Sequence, residues 1–178
     1  MPLRTPRMTR WIRQTVIAMG VASLVALPAS LSGQDVGLPV GTAAPAAALE
    51  TLDGKPFDLA QYVGKTPVLM EFWATWCPNC KELEPTMDLV AKKYAGKMKF
   101  VAVAVSVNQS PERVKLYAEK HALPLEVYFD TKGNAADAYD AAATSYIVVL
   151  NKAGTVVYTG LGGTQNLEAA VKKGLGGG

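Results

Sequence analysis

Apolar residues are distributed along the chain in three ways, and each predicts a different kind of element. Residues 68–73 (VLMEFW) and 100–107 (FVAVAVSV) are nearly unbroken apolar runs of strand length, as expected of strands buried on both faces. From Cys77 to Tyr94 the apolar positions Leu83, Met87, Val90 and Tyr94 recur at three- and four-residue spacing. That spacing predicts an amphipathic helix, with Pro85 inside it and a kink near residues 81–85. Shorter apolar stretches are set off by turn chemistry. Residues 49–51 and 55–58 flank Asp53-Gly54, a hairpin signal, and Asp58 is placed to cap a short helix through Tyr62. Ser110 followed by Pro111 and Glu112 predicts the start of a helix that continues to His121. A third strand over 125–130, a short helix over 135–142, strands over 146–150 and 155–160, and a last helix over 167–175 complete the pattern. Strands alternating with helices and closing on a hairpin and helix predict an α/β fold with a sheet of mixed direction.

The first 33 residues read differently. Arg4, Arg7, Arg10 and Arg13 come before any acidic residue, residues 15–27 are apolar apart from Thr15 and Ser23, and Ala29, Ser30, Ser32 and Gly33 follow. Basic, apolar, then small is the order of a secretory signal, which places cleavage near Ser32 or Gly33. An uncleaved membrane anchor is the rival reading, since a span needs about 20 residues. Either way the body is expected outside the cytoplasm, in the periplasm or at the outer face of the cytoplasmic membrane. Residues 1–33 are therefore read as signal or anchor, 34–48 as an extended Pro/Gly/Ala-rich arm, and 49–178 as the folded domain. The formal charge of +3 is a property of the leader. Without those four of its 18 basic residues the chain keeps 14 against 15 acidic ones. Such a body has no basic footprint for nucleic acid.

The chain holds two cysteines, Cys77 and Cys80, in Trp76-Cys77-Pro78-Asn79-Cys80. The motif falls where a buried strand hands over to a helix. Unpaired N–H groups and the helix dipole favour a thiolate there, which makes Cys77 the nucleophile. Cys80, one turn further in and expected to be the more buried, is placed to resolve a mixed disulfide. A structural disulfide closing so small a loop would add little stability, and one His with two Cys is short of a structural zinc site.

Phe72-Trp73-Ala74-Thr75-Trp76-Cys77-Pro78-Asn79-Cys80-Lys81, followed by Pro85, resembles the active-site signature of the thioredoxin superfamily. Gly41-Thr42-Ala43-Ala44-Pro45, Leu52-Asp53-Gly54-Lys55 and the insertion over 110–130 resemble its exported TlpA/ResA-type branch. The resemblance covers about residues 38–175. It implies a thioredoxin-like fold with an N-terminal hairpin and a central helix-strand insertion, thiol-disulfide exchange with Cys77 attacking and Cys80 resolving, and no dissociable cofactor. It also implies protein disulfides as substrates and an upstream membrane or periplasmic thiol reductant. Reduction is the favoured direction, because that branch mostly reduces, for example apocytochrome c before haem attachment. A redoxin-type peroxidase would need a peroxide pocket, which a CxxC preceded by Trp argues against.

Glu71 stands six residues before Cys77, where thioredoxin-like proteins keep a buried acid that handles the proton of the resolving cysteine. Burial in an apolar strand is expected to raise its pKa toward neutral, as general acid/base work at Cys80 requires; a structural ion pair is the alternative. The branch's glutamate three residues after the second cysteine is replaced by Leu83. The superfamily's cis-proline is also absent: its place falls at or beside Ser145, where a trans bond is the default. Trp76, Pro78, Asn79, Thr144 and Ser145 are thus the expected substrate-binding residues, around a reshaped groove. Losing the proline ring also opens an alternative, a metal or cluster held by the same two thiolates between two chains. Tyr117, Tyr128 and Tyr139 read as core or rim, and His121 as the positive tip of a helix.

Overall fold

A computed structural model describes Met1 and residues 37–177. Residues 2–33, the bulk of the segment expected to be a signal or anchor, lie outside the described residues. Seven strands form one sheet: β1 (Ala48–Thr51), β2 (Pro56–Asp58), β3 (Val68–Trp73), β4 (Lys99–Val105), β5 (Glu126–Asp130), β6 (Tyr146–Leu150) and β7 (Val156–Leu161). Their spatial order is β2-β1-β5-β4-β3-β6-β7. β3, β4 and β5 run parallel, while β1 and β6 lie antiparallel to their neighbours. The expected mixed α/β fold is what forms, with helices α1 (Pro78–Lys93), α2 (Pro111–His121), α3 (Asn134–Ala138) and α4 (Leu167–Gly174).

All six residues of β3 are buried, and the two-residue strand period divides them between two cores. Val68, Met70 and Phe72 join Tyr139, Tyr146 and Val148 on the α3 face. Leu69 lies under α1 and α4 with Leu83, Met87, Leu167 and Val171. Trp73 packs with Cys77, Cys80 and the α2 residue Val114. Glu71 falls in phase with Leu69 and Trp73, so the same alternation that builds the core turns its carboxyl toward the helix that carries the cysteines.

Side-chain caps form where the sequence places them. Ser110 Oγ accepts from Arg113 N (3.3 Å), Asp58 Oδ1 from Ala60 N (2.8 Å), and Gly54 turns the hairpin at φ 77°. The 58–62 helix is a single 3-10 turn (Leu59–Gln61). Two elements are shorter than their apolar runs. β4 stops at Val105, leaving Ser106 and Val107 in a loop, and α3 ends at Ala138, where Ala141 N turns back to Ala136 O (2.8 Å) and Asp140 takes φ 50°. The described part of the arm is tied down: Gly41 N donates to Val156 O (2.8 Å), Ala44 N to Gly154 O (2.8 Å), and Tyr139 Oη to Pro45 O (2.9 Å). Among the described residues no helix is long and apolar enough to cross a membrane.

Candidate active site

β3 ends at Trp73, and the chain turns through Ala74-Thr75-Trp76 into α1. Cys77 N donates to Ala74 O (3.1 Å), and Cys77 is itself the N-cap of α1, with Pro78 inside the first turn. A cap must accept from the open N–H groups of the helix, and here the acceptor is sulfur: Cys80 N donates to Cys77 Sγ (3.1 Å). The two cysteines are joined as a disulfide with their Cα atoms 5.3 Å apart.

The rim around them is open, with Trp76, Pro78 and Asn79 exposed. Two bonds from the β4–α2 loop hold the turn in place. Trp76 Nε1 donates to Val107 O (2.8 Å), while Gln109 accepts from Thr75 N (2.9 Å) and donates to Val105 O (2.6 Å). Gln109 escaped the sequence reading, since nothing local marks a glutamine 34 residues from its partner. The relative burial of the cysteines also differs from expectation. Cys77 is 2 % and Cys80 6 % exposed, so Cys80 is not the more deeply buried of the two. In the disulfide Cys77 Sγ is folded onto the first turn of α1, where it accepts from Cys80 N, instead of standing out into solvent.

Glu71 is 6 % exposed, and its Oε1 has no hydrogen-bond partner. Burial, with a smaller contribution from the like charge of Glu84, pushes its pKa up to about 8. Among the described residues no cation pairs with this carboxyl; Lys99, which opens the neighbouring strand, pairs with Glu126 instead. Glu71 shares with Cys80 a cavity of about 20 Å³, whose other polar walls are Glu84 and Tyr117. That is room for one water molecule. Glu84 accepts from Tyr117 Oη (2.8 Å) and lies 2.9 Å from His121 Nδ1, and the His121 ring stacks on Tyr117 at 3.9 Å. The acid that the family pattern puts at position 83 is here Glu84, and His121, expected only as the positive tip of a helix, meets it. The missed signal was helical phase, since Cys80 and Glu84 are four apart and share a face of α1.

Ser145 lies on the other side of β3. The described residues contain no cis peptide bond, and Ser145 takes φ 62°. This left-handed conformation lets Ser145 N donate to Phe72 O (2.8 Å), a bond proline could not make, while its carbonyl accepts from Gly162 N and Gln165 Nε2 (both 3.1 Å). The residue is fully buried and its hydroxyl has no partner. Of the two predicted positions here, half-buried Thr144 alone reaches the surface, at a groove of about 460 Å³ that it shares with Trp76, Val107, Ala136 and Ala143. Among the described residues no group of three or more His, Cys, Asp or Glu is arranged to hold a metal ion.

The AhpC/TSA family profile matches residues 40–159. The thioredoxin-like protein YneN of Bacillus subtilis is 35% identical over 126 residues, covering 70% of this chain and 73% of that one. The thiol-disulfide oxidoreductase ResA of the same organism is 32% identical over 117 residues, 66% of this chain and 64% of its own. Among solved structures, a thioredoxin-family thiol:disulfide interchange protein from Chlorobium tepidum superposes with a TM-score of 0.65 at 27% identity, covering 78% of this chain and 99% of that one.

Proposed function

The chain belongs to the AhpC/TSA family, within the thioredoxin superfamily, and is a thiol-disulfide oxidoreductase; from that premise we propose that it is an exported reductase of protein disulfides. The observation that carries the mechanism is an unpaired, buried carboxyl sharing a water-sized cavity with one of the two cysteines.

In the reduced protein, Cys77 Sγ at the N-cap is held as thiolate by the N–H of Cys80 and the dipole of a 16-residue helix. It attacks a substrate disulfide in the groove beside Trp76 and Thr144, forms a mixed disulfide and expels one substrate thiol. Cys80 then needs to lose its proton in a buried site. Glu71, whose raised pKa makes its carboxylate a competent base near neutral pH, takes that proton. The Cys80 thiolate attacks Cys77, the enzyme disulfide closes and the second substrate thiol leaves, so two electrons have passed to the substrate. Trp76, Pro78, Asn79 and Thr144 supply the contact surface, with Ser145 supporting Thr144 from beneath.

Export is supported by the basic, apolar and small-residue order of residues 4–33. A reductase outside the cytoplasm has to be re-reduced by a membrane or periplasmic thiol donor. The direction is tested by equilibrating the Cys77/Cys80 pair of metal-free protein against glutathione or dithiothreitol buffers. A potential near or below about −270 mV, the range of thioredoxin, is expected. A value nearer about −120 mV marks an oxidant and overturns the proposed direction.

A further inference from the structure

Glu71 and Cys80 are both 6 % exposed, so a proton exchanged between them has little direct access to bulk water. Their shared cavity has room for one water molecule; besides Glu71 and Cys80 it is lined by Ala74, Met87, Ala102, Leu123 and Leu125, by Trp73, whose buried Nε1 has no hydrogen-bond partner, and by Glu84 and Tyr117. Those two also line a groove of about 400 Å³ between α1 and α2 that opens to solvent, together with Lys81, Asp88 and His121. Glu84 and Tyr117 are therefore the polar side chains that line both the buried cavity and the open groove.

Tyr117 is poorly suited to carry the proton, since burial and the neighbouring Glu84 push its pKa further above the ordinary phenol value. It is suited to orient Glu84, to which it donates. The other Glu84 oxygen meets Nδ1 of the chain's single histidine, whose side chain is 34 % exposed. An imidazole can accept a proton at one nitrogen and release one from the other, which a lysine or arginine at this place could not do. The charged and titratable groups facing His121 are Lys81, Glu84 and Asp88 of α1 and Arg113, Tyr117 and Lys120 of its own helix.

We propose that Glu84 and His121 form the proton exit of this site, passing the proton that Glu71 takes from Cys80 out to the groove between α1 and α2. The inference rests on the assignment of Cys77 as attacking and Cys80 as resolving cysteine. In the step itself the Cys80 S–H bond breaks and an O–H bond forms on Glu71. The proton moves through one water to Glu84, then to His121 Nδ1, and an equivalent proton leaves the ring to solvent. The Cys80 sulfur meanwhile supplies the electron pair of the Cys77–Cys80 bond, and the departing thiolate is protonated from solvent. Among the described residues neither Glu84 nor His121 hydrogen-bonds to a sulfur, and they are positioning and relay residues.

The test uses oxidised glutathione as the disulfide and rapid mixing with the reduced protein. One equivalent of glutathione leaves on attack by Cys77 and a second on closure by Cys80, so the two steps are read separately. His121→Gln and His121→Phe, the latter keeping the stack on Tyr117, are expected to slow the second release about tenfold near pH 7. The first release and the equilibrium potential stay unchanged. Added imidazole is expected to restore the second release in both variants and to leave the wild type unaffected. A second release at the wild-type rate in both variants overturns the proton exit, as does a slowed release that imidazole fails to restore. Cys80→Ser, run in parallel, releases one equivalent only. If it releases two, the cysteine assignment itself fails and the exit fails with it.

Discussion

Two glutamates on the same sheet have opposite fates. Glu126 opens β5 near the surface, where it accepts from Lys99 Nζ (2.6 Å), from Tyr62 Oη and from Tyr128 Oη (3.1 Å). Burial works to raise its pKa, but Lys99 and the two phenols outweigh it and hold the carboxyl below the ordinary value. Glu71, in the middle of β3, has burial and no cation, and its pKa goes up to about 8. The fold is able to satisfy a carboxylate with a lysine and two tyrosines, and it does so at the end of the sheet away from the cysteines. Beside Cys80 it leaves the acid alone. An acid left so costs stability whenever it ionises, and that proton affinity is what the resolving step uses.

The largest effects are expected from removing the thiols that Glu71 serves. Cys77→Ser is expected to abolish thiol-disulfide exchange, whereas Cys80→Ser keeps attack and accumulates mixed disulfides, visible by non-reducing electrophoresis. Trapping of partners by Cys77→Ser would reverse the roles. Next in size, Glu71→Gln is expected to slow closure of the Cys77–Cys80 disulfide about 100-fold near pH 7 while hardly moving the redox midpoint. Its stability signature has a definite sign. Between the ordinary carboxyl value of 4.5 and about 8, folded Glu71 keeps a proton that the unfolded chain has released. Wild-type stability is therefore lost as pH rises through that window, by up to about 1.4 kcal/mol per unit. Oxidised Glu71→Gln is expected to be the more stable protein at pH 8, with the difference gone below pH 4.5. Urea unfolding at the two pH values measures it.

Smaller effects come from the other flank and from the satisfied glutamate. Ser145→Pro removes the N–H that donates to Phe72 O and is incompatible with φ 62°, so a loss of about 3 kcal/mol is expected in the same unfolding assay. An unchanged unfolding midpoint would mean that the loop reorganises freely around a proline. Glu126→Gln is expected to change stability by no more than about 1 kcal/mol, because Lys99 and Glu126 are each roughly two-fifths exposed and screened by solvent. What remains of the Glu126 contribution is present above the ordinary carboxyl value and lost as pH falls through its lowered one, the reverse of Glu71.

The parts of this molecule legible in its sequence are those fixed by residues close together in the chain. The all-buried β3 and the caps at Asp58 and Ser110 follow from local pattern, and so does the CxxC at a helix start. Glu71 was legible because a single carboxyl stands among the five apolar residues of β3. The ends of β4 and α3 were not, since an apolar run does not reveal where its hydrogen-bond partners stop. Ser145 showed that a proline was gone but not that its successor would adopt a left-handed backbone to reach Phe72 O. Glu84 and His121 meet across two helices 37 residues apart, and only the register of α1 against α2, a tertiary property, brings them together.

If Glu71 is the base for Cys80, the pH dependence of disulfide closure must carry its titration. The rate of the second glutathione release is measured from pH 5 to 10 in the wild type and in Glu71→Gln. The wild-type rate is expected to climb to an inflection near pH 8, and that inflection is expected to be missing in the variant. The same inflection in both proteins would contradict the assignment of Glu71 as the base, and would return it to a role in the fold alone.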